Sequence, residues 1–80
     1  MSYFVYMLKC AGGSFYIGST DDVERRFAKH MQGKGASYTR SHKPLQIVYT
    51  EELLDKSSAL KREHELKKLI HSEKAKLALV

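Results

Sequence analysis

Five side chains carry most of the chemistry open to this sequence: Tyr6, Tyr16, Arg26, His30 and Glu63. Arg26 and His30 are four residues apart, so on a helix they stand one above the other. The arginine offers a planar fork of donors for the oxygens of an anion, and the histidine offers a proton acceptor near neutral pH. Glu63 comes four residues after Ala59 and three before Leu66, inside the apolar arc of a later helix. A carboxylate there is costly unless a cation, a metal or hydrogen bonds satisfy it. One hard carboxylate suits Mg²⁺ or Mn²⁺, ions that keep most of their waters and take phosphate oxygens.

The two tyrosines depend on register. A three-residue loop at residues 11–13 pairs Cys10 with Ser14, Leu8 with Tyr16 and Tyr6 with Gly18, which makes Tyr6 and Tyr16 diagonal neighbours on one face. A two-residue loop at Gly12-Gly13 sends them to opposite faces. Gly18 opposite Tyr6 is expected to leave open space beside the ring. Each residue also has an ordinary structural reading. Tyrosines are common in strands, Arg26 can lie along a helix edge with its head in water, His30 fits a satisfied core histidine, and Glu63 can pair with Arg26. The case for a site is that all five can converge on one side of one sheet.

The elements that must position them can be read along the chain. Residues 3–10 are aromatic and branched and predict a strand; Ala11-Gly12-Gly13 predicts a turn and residues 14–19 a second strand. Thr20, Asp21 and Asp22 supply helix-start chemistry, so a helix is expected over residues 21–31 with Val23, Phe27 and Met31 inward. Gly33-Lys34-Gly35 ends it, and a polar loop runs to Pro44. Residues 45–50 predict a third, antiparallel strand. Asp55, Ser57 and Ser58 precede a longer helix over residues 56–70 with Ala59, Leu66 and Ile70 inward. Ser72 restarts a short helix ending in Leu77-Ala78-Leu79-Val80. The fold class is α+β: a small three-stranded antiparallel sheet flanked by helices, in the order β-β-α-β-α-α.

Eighty residues make one domain with a thin core. The lone cysteine, Cys10, builds no disulfide framework and is read as buried filler. Neither an apolar run of about 20 residues nor a basic-then-apolar leader pattern is present, so a cytoplasmic domain with no membrane role is expected. Fourteen Lys+Arg against 9 Asp+Glu, a formal charge of +5, attract a phosphate polymer. Gly33-Lys34-Gly35 lacks the full phosphate-loop pattern, which argues against a nucleotide cofactor. His64-Glu65 begins like a zinc-protease helix, but Lys68 stands where the second histidine belongs. His42, His64 and His71 read as surface residues, and the late lysines as a solvated face.

The same residues carry a resemblance. Tyr3-Phe4-Val5-Tyr6-Met7-Leu8 resembles the first half of the name motif of the GIY-YIG nuclease superfamily, with Val5-Tyr6 in place of its Ile-Tyr. Tyr16-Ile17-Gly18 is similar to the second half. Arg26 with His30, and then Glu63, resemble its two helix motifs. The stretch from His30 through Gly33, Gly35, Ala36, Tyr38 and Thr39 resembles the small stand-alone bacterial branch, itself similar to the catalytic domain of structure-specific resolvase subunits. The chain departs from the pattern in containing no asparagine, where many members carry a late one.

The resemblance implies one nuclease domain over residues 1–80, hydrolysing DNA phosphodiester bonds as an endonuclease with selectivity for DNA structure, in repair or recombination. It implies one divalent ion, Mg²⁺ or Mn²⁺, at Glu63, a phosphate clamp at Arg26, a Tyr6 that positions or deprotonates the water, and Tyr16 as a phosphate or water ligand. A phenol with a reference pKa of about 10 is a poor base unless nearby positive charge lowers it. Arg26, the metal and His30 can supply that charge, or His30 can take the proton itself. Lys34, Tyr38 and Arg40 are expected to make backbone and stacking contacts with the nucleic acid. The rival readings are a non-catalytic nucleic-acid-binding module and a subunit whose protein partner supplies targeting.

Overall fold

The computed structural model describes residues 2–78. Strands β1 (Tyr3–Cys10) and β2 (Phe15–Thr20) form the hairpin, and β3 (Pro44–Leu53) joins the other edge of β1, giving an antiparallel sheet in the order β2-β1-β3. The hairpin takes the three-residue loop: Cys10 N–H donates to the Ser14 carbonyl at 2.8 Å, and Tyr6 stands opposite Gly18 and Leu8 opposite Tyr16. The central strand is covered on both sides. On one face Val5, Met7 and Ile17 pack with Ala59 and Leu66. On the other, Tyr6, Leu8 and Cys10 pack with Tyr16, Val23, Phe27 and Ile47. Strand alternation thus sends Tyr6 and Tyr16 to a different side from Val5 and Met7.

Helix α1 (Val23–Met31) lies on the Tyr6 face. It begins two residues later than expected because Asp22 stays extended and caps it, its side chain accepting from Arg25 N–H at 3.0 Å. The helix ends in a Schellman turn: Gly33 N–H donates to the His30 carbonyl and Lys34 N–H to the Lys29 carbonyl, with Gly33 at φ +75°. That turn leads into α2 (Ser37–Ser41), a short helix within the segment expected to be loop.

Helix α3 (Lys56–Lys67), capped by Asp55, covers the Val5 face, and Arg62 ties it to β3 by donating to Glu51 at 3.0 Å. The expected single run over residues 56–70 breaks after Lys67, and α4 (His71–Ala78) starts where the Glu73 carboxylate reaches back to accept from Ile70 N–H. Ile70 therefore falls in the break and is 65% exposed rather than buried. Met31, at the end of α1, is 45% exposed rather than inward, whereas His30, which falls within the same inward stripe, is 1% exposed as that stripe implies. The expected end of the last helix at Leu79-Val80 lies outside the described residues. Among those residues no helix is long and apolar enough to cross a membrane.

Candidate active site

Strand β1 presents Tyr6, its neighbour β2 presents Tyr16, and the last turn of α1 presents His30; the three rings meet on the α1 face. Tyr6 and Tyr16 have ring centroids 6.3 Å apart, and Tyr16 meets His30 edge-on at 5.1 Å. Tyr6 Oη lies 2.8 Å from His30 Nε2, with both side chains buried. The space above Gly18, expected to stay open, is filled by Tyr6 itself: a Cβ on Gly18 would stand 2.6 Å from the Tyr6 Oη. The glycine is thus what lets the phenol cross β2 and reach the imidazole.

Burial pushes the Tyr6 phenol up to about 12, although the Arg26 guanidinium beside it pulls the other way. Burial, and then Arg26, push His30 below its ordinary value. Tyr6 and His30 are consequently both neutral near pH 7. The half-buried Arg26 also lines a cavity of about 230 Å³ with Tyr3, Ser19, Thr20, Arg25 and Lys29, a strongly cationic hollow against the cluster.

Glu63 is placed differently from the other four. Its helix packs Ala59 and Leu66 on the opposite face of the sheet, so the expected convergence on one side holds for Tyr6, Tyr16, Arg26 and His30 but not for the origin of Glu63. The carboxylate is nevertheless near enough to oppose ionisation of Tyr6. It is 16% exposed and pairs at 2.6 Å with Lys67, not with Arg26. Lys67 in turn lines a second hollow of about 300 Å³, with Phe15, Tyr16, Ile17, Tyr38 and Lys74, bringing α3 and α4 together with β2 and α2. Among the described residues no three His, Cys, Asp or Glu side chains gather as a metal cage. A single carboxylate fits an ion that keeps its waters, as Mg²⁺ and Mn²⁺ do, and does not fit a caged zinc.

Of the three loop residues expected at the periphery, Tyr38 joins the cluster. Its ring stacks near Tyr16 at 6.0 Å, and His42 stacks on it at 4.2 Å and 10°. Lys34 and Arg40 are exposed, and no side-chain bond joins either to the cluster among the described residues. His42, His64 and His71 are exposed as expected, but His71 also donates through Nε2 to the Gly13 carbonyl at 2.7 Å and so pins α4 to the hairpin turn. Burial pushes the Cys10 thiol up, as befits filler.

Thr39 had no role assigned from the sequence. It is 2% exposed, its Oγ1 lies 2.7 Å from His30 Nδ1, and its hydroxyl donates to the Ala36 carbonyl at 2.9 Å. Gly35 closes over the same ring, where a Cβ would overlap His30 Nδ1. Arg25 and Lys29, which also line the cavity, had no role assigned from the sequence; they lie on the helix side opposite the Val23, Phe27 and Met31 stripe.

A three-stranded α+β domain with paired tyrosines on its hairpin and an Arg–His pair on the helix behind it defines the class. The fold is shared with the solution NMR structure of a UPF0213 protein from Bacillus halodurans, at TM-score 0.58 and 44% identity over 96% of this chain and 82% of that one. It is shared also with that of a protein from E. faecalis, at TM-score 0.61 and 39% identity over 92% and 79%. The chain belongs to the GIY-YIG nuclease family: the model of the GIY-YIG catalytic domain matches residues 2–76. Its relatives include UPF0213 proteins of Natronomonas pharaonis, 47% identical over 94% of this chain and 88% of the relative, and of Cupriavidus necator, 48% identical over 91% and 79%.

Proposed function

We propose that this protein is a divalent-metal-dependent endonuclease that hydrolyses DNA phosphodiester bonds, with selectivity for the structure of the DNA. The observation that carries the reading is the buried Tyr6–His30 pair at 2.8 Å beside the cationic cavity lined by Arg26. A phenol held near 12 is no base by itself. Coupled to His30, it becomes one: as Tyr6 takes a proton from the attacking water, it passes its own to His30 Nε2. The hydroxide forms a bond to phosphorus, the opposite P–O bond breaks, and the leaving oxygen takes a proton from solvent. Arg26 donates to the non-bridging oxygens, where charge accumulates, and Tyr16 orients water or phosphate beside it.

Glu63 is the residue that would hold Mg²⁺ or Mn²⁺, displacing Lys67 from the carboxylate. Such an ion supplies Lewis-acid stabilisation of the phosphate oxygens. Arg25 and Lys29 extend the phosphate track on one side. Tyr38, with Lys67 and Lys74 lining the same hollow, offers a stacking platform for an unpaired base on the other, and exposed Lys34 and Arg40 on the neighbouring chain segment add backbone contacts. A surface of both kinds is the physical basis for choosing flapped or branched DNA over a plain duplex.

The test is cleavage of labelled linear, single-stranded, flapped and four-way DNA with Mg²⁺ or Mn²⁺, beside Glu63→Gln and Tyr6→Phe. Metal-dependent cutting by the parent and by neither variant is the expected result. The Glu63–Lys67 pair favours a second reading, a non-catalytic binding module in which lysine has taken the metal's place. Binding without cutting on every substrate would select it, or a subunit that turns over only with a protein partner.

A further inference from the structure

We propose that Thr39 is a positioning residue that holds His30 in its Nδ1–H tautomer and thereby leaves Nε2 as the acceptor for the Tyr6 proton. The use of that acceptor in hydrolysis rests on the nuclease reading; the tautomer does not.

A threonine hydroxyl has a single proton to donate. Ala36 O, a carbonyl that can only accept, lies 2.9 Å from Thr39 Oγ1 and takes it. Oγ1 therefore turns a lone pair toward His30 Nδ1 at 2.7 Å, and Nδ1 must carry hydrogen. A neutral imidazole has one N–H, so Nε2 carries the lone pair, and Tyr6 Oη at 2.8 Å must donate to it. The result is a directed chain running Tyr6, His30, Thr39, Ala36. It is buried at each side-chain station, Tyr6 1%, His30 1% and Thr39 2% exposed, so losing one partner leaves a buried polar group unsatisfied.

The rest of the architecture serves the same end. Ala36 and Thr39 sit three residues apart across the first turn of α2, so forming that turn sets the hydroxyl's direction. Gly35 has no Cβ to press on Nδ1, which lets the backbone before α2 run over the ring. Had Thr39 instead donated to Nδ1, Nε2 would carry hydrogen and point it at Tyr6. The phenol would then have no route for its proton, and the pair could not act as a base.

Imidazole ¹⁵N NMR of the ¹⁵N-labelled protein above pH 7 reads the tautomer directly. The expected spectrum has a protonated Nδ1 and an unprotonated Nε2 for His30, kept in Thr39→Ser and lost or mixed in Thr39→Val, which is isosteric but has no acceptor. In cleavage assays Thr39→Val should lose about 100-fold in kcat with little change in KM, the low end of a general-base contribution, and Thr39→Ser should restore most of it. An Nε2–H tautomer in the parent, or an unchanged Nδ1–H tautomer in Thr39→Val, overturns the proposal. A parent that has the Nδ1–H tautomer but cuts no DNA overturns the nuclease reading and leaves the Thr39 assignment standing.

Discussion

Tyr6 and His30 are each held away from the charge state a simple base or acid would need, and the two displacements have one consequence for pH. His30, pushed down by burial and Arg26, is neutral from its lowered value upward. Cleavage should be level from pH 7 to 9 and fall only at a pH below the ordinary histidine value of about 6.5, as the acceptor is protonated. A kcat profile that instead rises toward pH 10 would identify free tyrosinate as the base. Stability follows by linkage. An unfolded histidine binds its proton near 6.5 and the native one only at lower pH, so stability is complete above 6.5 and declines as pH falls from there to the native value. Tyr6 acts at the other end: the unfolded phenol ionises near 10 and the native one near 12, so stability is complete below 10 and declines as pH rises toward 12. Urea unfolding across both windows measures each slope. Tyr6→Phe leaves buried His30 Nε2 without its donor and should cost about 1–3 kcal/mol in the same assay. The tyrosine pair was legible only as one of two registers, and the three-residue turn closed by the Cys10–Ser14 bond is what sets both rings on one face. Arg26 and His30 were legible from their spacing of four. Thr39 was not, because its role depends on a proton's direction within a turn that has no sequence period.

Elements differ in how much of their position is written locally. Capping is short-range chemistry, and Asp22 and Asp55 both cap helices that begin beside them; Asp55→Ala should cost about 1 kcal/mol in thermal or urea unfolding. One-turn α2 has no side-chain cap and is too short to show an apolar stripe, so nothing in its residues alone announces a helix. What makes it is the Schellman turn at Gly33, which redirects the chain across the end of α1. Two helices were legible after β3, with Ser72 as the restart, but the end of the first was set three residues late because apolar Leu69 and Ile70 continue past Lys67; the Glu73 bond to Ile70 N–H places the new start at His71. The connection between α1 and α2 is therefore the element most open to test. Gly33→Ala should cost about 1–2 kcal/mol through its positive φ while leaving the cluster's contacts in place. Gly35→Ala has no such strain but drives a methyl into His30, so it should cost about 1–3 kcal/mol and also lower kcat. Equal kinetic damage from the two variants would mean that the turn as a whole, rather than the space over His30, positions the imidazole.

At the scale of the molecule, the net charge of +5 said that a polyanion was a suitable partner but not where it would lie. Placement comes from the fold. α1 turns Arg25, Arg26 and Lys29 toward Ser19 and Thr20 of β2, while α3 and α4 bring Lys67 and Lys74 to Tyr16 and Tyr38. Glu63 shows the limit of periodicity most clearly: its helix arc was right, yet the arc faces the Val5 side of the sheet, and only the packed structure brings its charge to Tyr6. If phosphates run through the Arg26 cavity, the cations at its rim release counterions when DNA binds. Each contact then adds about 0.9 to the slope of log affinity against log salt on duplex and about 0.7 on single strands. Arg25→Gln and Lys29→Gln should each lower that slope by about one contact and raise KM, most visibly at low salt. Arg25 must first leave Asp21, its partner at 2.7 Å, so Lys29→Gln should have the larger effect on affinity for the same change in slope. Lys67→Gln separates two uses of that lysine. If it only neutralises Glu63, its loss should lower the Mg²⁺ needed for half-maximal cutting and leave the salt slope unchanged. If it also holds phosphate, the slope should fall as well, and the aromatic hollow belongs to the DNA track.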